Sequence, residues 1–181
     1  MKNLIALVLF SLCLLPHVQA QSASVDAEIT LVTPAPTCAF SVSSDLDFGL
    51  AEKPATGSAS VTISATSGTR TANGTTVSGT SSVGQVQLSG ANVASYTVSR
   101  SFPGTLDSSN DNLSFAGTWA ESSSASSGYS SISGSSYSGT SSGAGSTFTQ
   151  YFRLGGEVSG ISLDDESAAY DGTISASATC N

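Results

Sequence analysis

Apolar residues alternate with polar ones along most of this chain, and this period of two constrains the fold more than any other feature. The first such run places apolar residues at alternate positions, namely Ala23, Val25, Ala27, Ile29 and Leu31. A period of two puts alternate side chains on one face of a strand, whereas an amphipathic helix needs a period near 3.6. Similar runs recur between turn-forming residues, which predicts about nine short strands. We therefore expect an all-β protein, folded as an antiparallel immunoglobulin-like β-sandwich.

The N-terminus has the three parts of a secretory signal peptide. Lys2 precedes an apolar run over residues 4–15, and Val18 and Ala20 fit the small-residue positions of a cleavage site. The apolar run is shorter than the roughly 20 residues needed to span a bilayer, which favours a cleaved signal at 1–20 over a transmembrane anchor. We therefore expect a protein without a membrane span that is secreted, or held in the periplasm or at the cell surface of a bacterium.

Beyond the predicted cleavage site, the chain divides into a short arm and one larger domain. Residues 21–36 form a strand-like arm that ends in a stiff hinge, because Pro34 and Pro36 favour an extended backbone. Residues 37–181 are expected to form the β-sandwich, since they are enough for a sizeable core.

Two glycine-containing segments are predicted to interrupt the strands of this domain. The Ser/Gly-rich tract at about 121–147 carries few apolar residues and is interpreted as a long loop or ragged hairpin. Gly155-Gly156 is expected to end the strand that begins near Phe148, because glycine weakens strand interiors.

The cysteines predict a single disulfide. Cys13 lies within the predicted signal peptide, which leaves Cys38 and Cys180 near the two ends of the domain. An even pair in an exported chain favours a disulfide over two buried thiols. In the chain-entropy model, a loop of this length stabilises by about 4–5 kcal/mol. The bond requires that the two strands be neighbours, with Cα atoms within about 7 Å.

Few chemical groups suited to catalysis remain in the predicted mature chain. The only histidine of the full sequence, His17, lies in the predicted signal peptide. The predicted mature chain therefore lacks the usual general base and imidazole metal ligands. We therefore expect neither an enzyme nor a cofactor. The polar turn with Asp107 and Asp111 offers oxygen ligands for calcium, but it lacks the Gly and distal Glu of the EF-hand pattern, and an ordinary hairpin turn is favoured. A formal charge of −8 argues against a nucleic acid partner.

Several short motifs occur in a recognisable order. They are Leu46-Asp47-Phe48-Gly49, Gly68-Thr69-Arg70, Gly90, Tyr96-Thr97-Val98, Phe152-Arg153-Leu154-Gly155-Gly156 and Tyr170-Asp171-Gly172-Thr173. Over about residues 25–181, the chain thereby resembles the domain of unknown function 4402 family, a pilin-like group of bacterial secreted proteins. The segment from Cys38 to Leu46-Asp47-Phe48-Gly49 and the short C-terminal strand that ends in Asn181 also look similar to chaperone–usher fimbrial subunits and spore-coat U-type proteins. The resemblance implies an immunoglobulin-like, pilin-like sandwich and a role in surface fibres or coats.

The first predicted function is that of a structural or adhesive surface subunit, whose partners are copies of itself or other surface subunits. An alternating strand on a hinge can add itself to the sheet of another subunit. The alternative is an ordinary first strand within its own sheet. The apolar side chains that would carry the assembly are Val25, Ala27, Ile29 and Leu31.

The second predicted function is that of an extracellular binding module for a glycan or another surface ligand. Aromatic rings surrounded by hydroxyl groups are suited to sugars, and the candidate contact residues are Trp119, Tyr129 and Tyr137. A place in the core is the alternative for Trp119, because tryptophan is on average highly buried.

Overall fold

The computed structural model describes Ile29 and residues 34–181, so the predicted signal peptide and most of the arm lie outside the described residues. Within these residues there are thirteen strands and no helix, and hence no helix that could cross a membrane. The strands are β1 (Thr37–Ser44), β2 (Leu50–Ala51), β3 (Ala59–Ile63), β4 (Arg70–Asn73), β5 (Val77–Ser78), β6 (Gly84–Ala91), β7 (Ser95–Ser101), β8 (Thr105–Asp107), β9 (Asn112–Ser122), β10 (Ser130–Ile132), β11 (Ser136–Thr140), β12 (Thr147–Ile161) and β13 (Ser175–Cys180).

The larger sheet is organised around β12, a strand of 15 residues. On one side, β12 pairs with β6 through residues 147–154 and with β3 through residues 156–161. On its other side it pairs with β9, while β1 extends β6 and β4 extends β3. The smaller sheet has the order β11-β7-β13, and every pairing is antiparallel. The predictions of an all-β fold and of an antiparallel, sandwich-like arrangement are confirmed.

Gly155 and Gly156 lie in the middle of β12, so the prediction that they end a strand is wrong. Both are buried between neighbouring strands. A Cβ atom added at Gly155 would overlap the carbonyl oxygen of Ile63, and one at Gly156 would collide with the carbonyl oxygen of Ala116. The glycines therefore allow β3 and β9 to approach β12 closely from its two sides.

Two clusters of buried side chains pack on the inner face of the larger sheet, and the first of them also includes side chains of β7 in the smaller sheet. The sheet-covered cluster lies beneath the smaller sheet and consists of Val86, Leu88, Val93, Tyr96, Val98, Trp119, Phe152 and Leu154. The loop-covered cluster consists of Ala59, Val61, Leu113, Phe115, Val158 and Ile161. Its cover comes from segments outside the smaller sheet, through Leu46, Phe48, Val77, Phe102, Leu106, Tyr170 and Ile174. In the described chain, therefore, the smaller sheet covers one half of the core, while the other half is covered by β5 of a two-stranded sheet, β2-β5, by β8 and by loops.

Cys38 in β1 and Cys180 in β13 form a disulfide, as the sequence predicts, with their Cα atoms 6.3 Å apart. The two strands are not paired by backbone hydrogen bonds, because β1 belongs to the larger sheet and β13 to the smaller one. The bond therefore ties the two sheets together at one end of the sandwich. A disulfide of this kind is compatible with an extracellular or periplasmic protein.

The Ser/Gly tract at 121–147 contains more regular structure than the expected loop. It holds β10, which pairs with β9, and β11, which pairs with β7. Between these strands, the carbonyl oxygen of Gly134 accepts hydrogen bonds from Trp119 Nε1 at 3.0 Å and from Arg100 Nη2 at 2.9 Å. The tract is therefore anchored on the core, and its two strands join different sheets instead of forming one hairpin.

Candidate functional site

A cleft with a volume of about 1030 Å³ lies over the loop-covered cluster, and we call it the apolar cleft. Its first wall is the segment 45–53, and its second wall is drawn from the segment 165–174. Its floor consists of the apolar side chains of Val61, Leu113, Phe115, Val158 and Ile161. The volume lies at the upper limit of the range of sites that enclose small ligands, and it is large enough for several side chains.

Arg70 holds the first wall in place. Its Nη1 donates hydrogen bonds to the carbonyl oxygens of Phe48 at 3.0 Å and Ser78 at 3.1 Å. The backbone N–H of Gly49 donates to Asp47 Oδ1 at 2.8 Å, which tightens the turn. Gly49 has a φ of 75° and lies against the backbone of Ser78, so a side chain does not fit there. The motifs that contain Phe48 and Arg70 therefore meet in the first wall.

Asp111 and Glu166 hold the second wall in place. Asp111 Oδ2 accepts hydrogen bonds from the Tyr170 hydroxyl at 2.9 Å and from the backbone N–H of Glu166 at 3.1 Å. Glu166 in turn accepts from Ser108 Oγ at 2.6 Å and from Asn110 Nδ2 at 3.2 Å. The bond from Tyr170 is the main cause that lowers the pKa of Asp111, and the bond from Ser108 is the main cause that lowers the pKa of Glu166.

Asp107 and Asp111, the predicted calcium candidates, both take part in contacts that hold the second wall. The carboxylate of Asp111 is occupied by the hydrogen bonds that hold the second wall. Asp107 joins the same wall through its backbone, since its N–H and C=O pair with those of Asp171 at 2.9 Å each. Among the described residues, no group of three or more His, Cys, Asp or Glu side chains is placed to hold a metal ion. The hydrogen bonds of Asp111 and the backbone pairing of Asp107 make the polar turn a tether of the second wall.

Lys53 connects the two walls of the apolar cleft. Its Nζ donates hydrogen bonds to the carbonyl oxygen of Leu163 at 3.3 Å and to that of Asp165. Among the described residues that line the cleft, Lys53 is the one cation, and the carboxylates are Asp45, Asp47, Glu52, Asp165, Glu166 and Asp171. The cleft therefore combines an apolar floor with an acidic rim.

The three aromatic residues predicted to contact a ligand do not form one surface. Trp119 is only 2% exposed and stacks on Phe152, with ring centroids 5.8 Å apart. Tyr137 packs edge-on against the same phenyl ring. Tyr129 lies apart on the outer face of the larger sheet, where the guanidinium of Arg153 is 4.0 Å from its ring centroid. The prediction that Trp119 offers a binding surface needs correction, because its ring is enclosed by the core.

The sequence analysis did not predict a set of neighbouring polar side chains inside the sheet-covered half, namely Tyr96, Glu121, Tyr137 and Gln150. Gln150 Nε2 donates to Glu121 Oε2 at 2.5 Å. Burial raises the pKa of Tyr96 to about 12, and Tyr137 and Glu121 add to the shift. Burial also raises the pKa of Tyr137. The sequence pattern could have predicted the position of Glu121, because this residue follows Trp119 by two positions and so shares its face of β9.

The fold and the site define a class: a disulfide-linked, sandwich-like β-protein with an apolar cleft over the half of its core that the smaller sheet does not cover. Within this class, the chain belongs to the family described as Domain of unknown function (DUF4402), whose model matches residues 38–179. The matched range contains both walls of the cleft, and it begins after the arm. The family predicted from the sequence motifs is confirmed. Comparison with curated proteins and with solved structures gave no match.

Proposed function

We propose that this protein is a non-enzymatic structural or adhesive subunit of a bacterial cell surface, which self-associates through its N-terminal arm in the manner of a fimbrial subunit. The observation that carries the proposal is the apolar cleft at the half of the core that the smaller sheet does not cover. Half of the inner face lies under an apolar cleft, and the sequence supplies a spare strand-like segment before the hinge. Addition of a strand from another subunit would satisfy both, because backbone pairing gives affinity and alternate side chains fill pockets.

A location outside the cytoplasm supports this role. The predicted signal peptide at 1–20 directs export, and the disulfide between Cys38 and Cys180 suits an oxidising compartment. Only 10% of the residues are charged, and Ser, Thr and Gly dominate the surface-exposed segments. A subunit with these properties would act in a fibre or coat outside the cell.

The absence of an enzymatic role is proposed from the chemistry of the chain. Residues 18–181 contain no histidine. Burial raises the pKa of Tyr96 and of Tyr137, so neither hydroxyl is activated as a nucleophile. The carboxylates of Asp111 and Glu166 are engaged in hydrogen bonds that hold a wall. The polar groups of the site thus support structure and recognition.

The experiment that tests this proposal compares the exported protein with a variant that lacks the apolar face of the arm. The variant combines Val25→Asn, Ile29→Asn and Leu31→Asn, and its matched control combines Asp26→Asn and Glu28→Gln on the other face. We expect filaments or oligomers, seen by electron microscopy and light scattering, for the parent and the control, and a monomer for the apolar-face variant. A parent that stays monomeric at every concentration, or an apolar-face variant that assembles normally, would refute the proposal.

Glycan binding is the second candidate function, and the pair of Tyr129 and Arg153 favours it. Tyr129 is half-buried beneath the Arg153 guanidinium and donates a hydrogen bond to Gln85 Oε1 at 3.3 Å. A planar aromatic and guanidinium surface on an open sheet face is suited to an acidic sugar. A glycan array tests it, with loss of signal expected for Tyr129→Ala and retention for Val42→Ala, a variant at another exposed strand position. An array without any signal removes this candidate.

A further inference from the structure

We propose that Asn73 is a site of spontaneous deamidation, driven by attack of the Gly74 backbone nitrogen, and that its conversion loosens the first wall of the apolar cleft. The site lies in the turn between β4 and β5. Asparagine is among the thermolabile residues of proteins, and its local surroundings decide whether it reacts. The reaction does not depend on self-association, so the inference goes beyond the proposed function.

The turn leaves both reacting groups accessible. Asn73 is the last residue of β4, and Gly74 and Thr75 form the bend that follows. Asn73 and Gly74 are both exposed. In the described part of the chain, the Asn73 side chain makes no hydrogen bond, and the Gly74 N–H donates none to another backbone group. The side-chain amide carbon and the backbone nitrogen are therefore open to each other and to water.

Gly74 removes the steric barrier to the attack. It has a φ of 75°, a conformation that glycine adopts readily, and a Cβ atom there would lie 3.1 Å from the carbonyl oxygen of Ser58. The turn therefore disfavours a larger residue at this position. Because glycine has no side chain, its nitrogen can approach the Asn73 amide carbon closely. Asn73 is the one asparagine of the sequence that precedes a glycine.

Two other asparagines are held by hydrogen bonds that oppose the same reaction. Asn92 Oδ1 accepts from the backbone N–H of Gly145 at 2.9 Å, and Asn110 Nδ2 donates to Glu166 Oε1 at 3.2 Å. Each of these bonds must break before the side chain can turn back onto its own backbone, which costs free energy. Asn92 and Asn110 therefore serve as internal controls for the reactivity of Asn73.

The position of β4 in the sheet allows Asn73 to reach the reactive conformation. An extended strand holds each side chain to one side of the backbone, so the strand end must open briefly for the attack. In the described chain β4 lies at the edge of the larger sheet and pairs with β3 alone, and Asn73 opposite Ser60 is the last pair. The end of an edge strand opens at a low free energy because few contacts must be broken.

The reaction consumes only water. The Gly74 nitrogen forms a bond to Cγ of Asn73 and gives up its proton, and the side-chain nitrogen leaves as ammonia, which closes a succinimide ring. Water then opens the ring at one of its two carbonyl carbons. The product is an ordinary aspartate, or a β-aspartyl linkage in which the main chain passes through Cβ and Cγ. Because the attacking nitrogen must lose its proton, the rate should rise with pH.

Conversion of Asn73 acts on the first wall through the residues that follow the turn. Thr75 Oγ1 donates a hydrogen bond to the carbonyl oxygen of Glu52, and the N–H of Glu52 donates to the carbonyl oxygen of Thr76 at 2.9 Å. Either product places a carboxylate two positions before Thr75, and the β-aspartyl linkage also lengthens the main chain by one atom. The altered turn displaces Thr75 and Thr76 from Glu52, so the first wall loosens.

Timed incubation of the exported protein, followed by peptide mapping with mass spectrometry, tests the site. We expect conversion at Asn73, faster in mildly alkaline than in mildly acidic buffer, while Asn92 and Asn110 stay intact. Asn73→Gln should abolish the conversion, because its longer side chain closes a less favourable ring. Asn112→Gln, at another exposed asparagine, is the matched control and should leave the rate unchanged. An Asn73 that stays intact in the folded protein but converts in urea, or conversion at Asn92 or Asn110 first, overturns the proposal.

Amide exchange of the same samples tests the effect on the first wall. Residues 48–53 should exchange faster in the aged parent than in the fresh parent, whereas aging should change nothing in Asn73→Gln. An aged parent that carries the β-aspartyl linkage and exchanges residues 48–53 like the fresh protein overturns the link to the first wall. Neither measurement depends on filaments, so a protein that never assembles refutes the proposed function and leaves this inference standing.

Discussion

The two halves of the core use the same strands, β9 and β12, but they are covered in different ways. In the sheet-covered half, Leu88 is 0% exposed and Trp119 is 2% exposed beneath a second sheet that a disulfide fastens in place. In the loop-covered half, Leu113 is 8% exposed and the cover consists of two walls with a cleft between them. The comparison teaches that one continuous sheet can carry a core packed under a second sheet at one end and a core beneath two walls and a cleft at the other.

The largest effect is expected from the disulfide that fastens the sheet-covered half. Replacement of both Cys38 and Cys180 by serine removes a bond that closes a sequence separation of 142 residues. The free energy of unfolding in urea should fall by about 3–5 kcal/mol. The parent protein treated with a reducing agent should show the same loss. An unchanged urea midpoint for the double variant would show that the two sheets hold together without the bond.

A matched pair of leucines compares the two cores directly. Leu88→Ala leaves a cavity in a fully enclosed site and should cost about 4–5 kcal/mol, whereas Leu113→Ala opens into the cleft and should cost about 2–3 kcal/mol. Denaturant unfolding of the two variants gives both values. Equal costs, or a larger cost for Leu113→Ala, would mean that the loop-covered half is as tightly packed as the other.

The hydrogen bonds by which Lys53 bridges the two walls should contribute less to the free energy of unfolding than either leucine. Lys53→Met keeps the aliphatic stem and removes the hydrogen bonds to the second wall, which should lower the free energy of unfolding by about 1 kcal/mol. Amide exchange in residues 162–166 should become faster. Arg153→Met, which removes a cation outside the cleft, is the control and should leave this exchange unchanged. Equal effects of the two variants would argue against a bridging role for Lys53.

The smallest and most local effect is expected from pH. The pKa values of Asp111 and Glu166 lie below their ordinary values of 3.8 and 4.5. The unfolded chain therefore binds protons more readily, and the stabilising contribution is present above these values and is lost as pH falls below them. Acidification below about pH 4 should lower amide protection in the second wall, relative to the intrinsic exchange rate at each pH, before the sheet-covered half responds.

A double variant supplies the control for the pH effect. The combination of Asp111→Asn and Glu166→Gln removes both titrating groups, so the second wall should exchange rapidly at neutral pH and should respond little to acid. A second wall that loosens in acid equally in the parent and the double variant would assign the effect to other groups.

The strand content and the disulfide could be predicted because both depend on local patterns. Alternation along β3, β6 and β7 is the direct consequence of one buried face. Cys38 and Cys180 were the two cysteines left after the predicted cleavage. The family was also accessible, because its motifs are short and ordered along the chain.

The remaining features depend on contacts between distant segments. Gly155 and Gly156 look like a strand end in the sequence, but β3 and β9 press on them from both sides. The Ser/Gly tract looks like a loop, but Trp119 and Arg100 anchor it through a single carbonyl oxygen. No local sequence pattern predicts the apolar cleft, because its floor residues alternate with polar ones in the same way as the buried residues of any strand.

Hydrogen–deuterium exchange of the exported protein, before and after assembly, tests the central claim most directly. We predict that residues 45–53 and 165–174 exchange faster than β6 and β7 in the unassembled protein. On assembly, these two walls and residues 21–33 should become protected together, while the sheet-covered half stays unchanged. Assembly that leaves the walls unprotected, or that protects the sheet-covered half instead, would contradict the account.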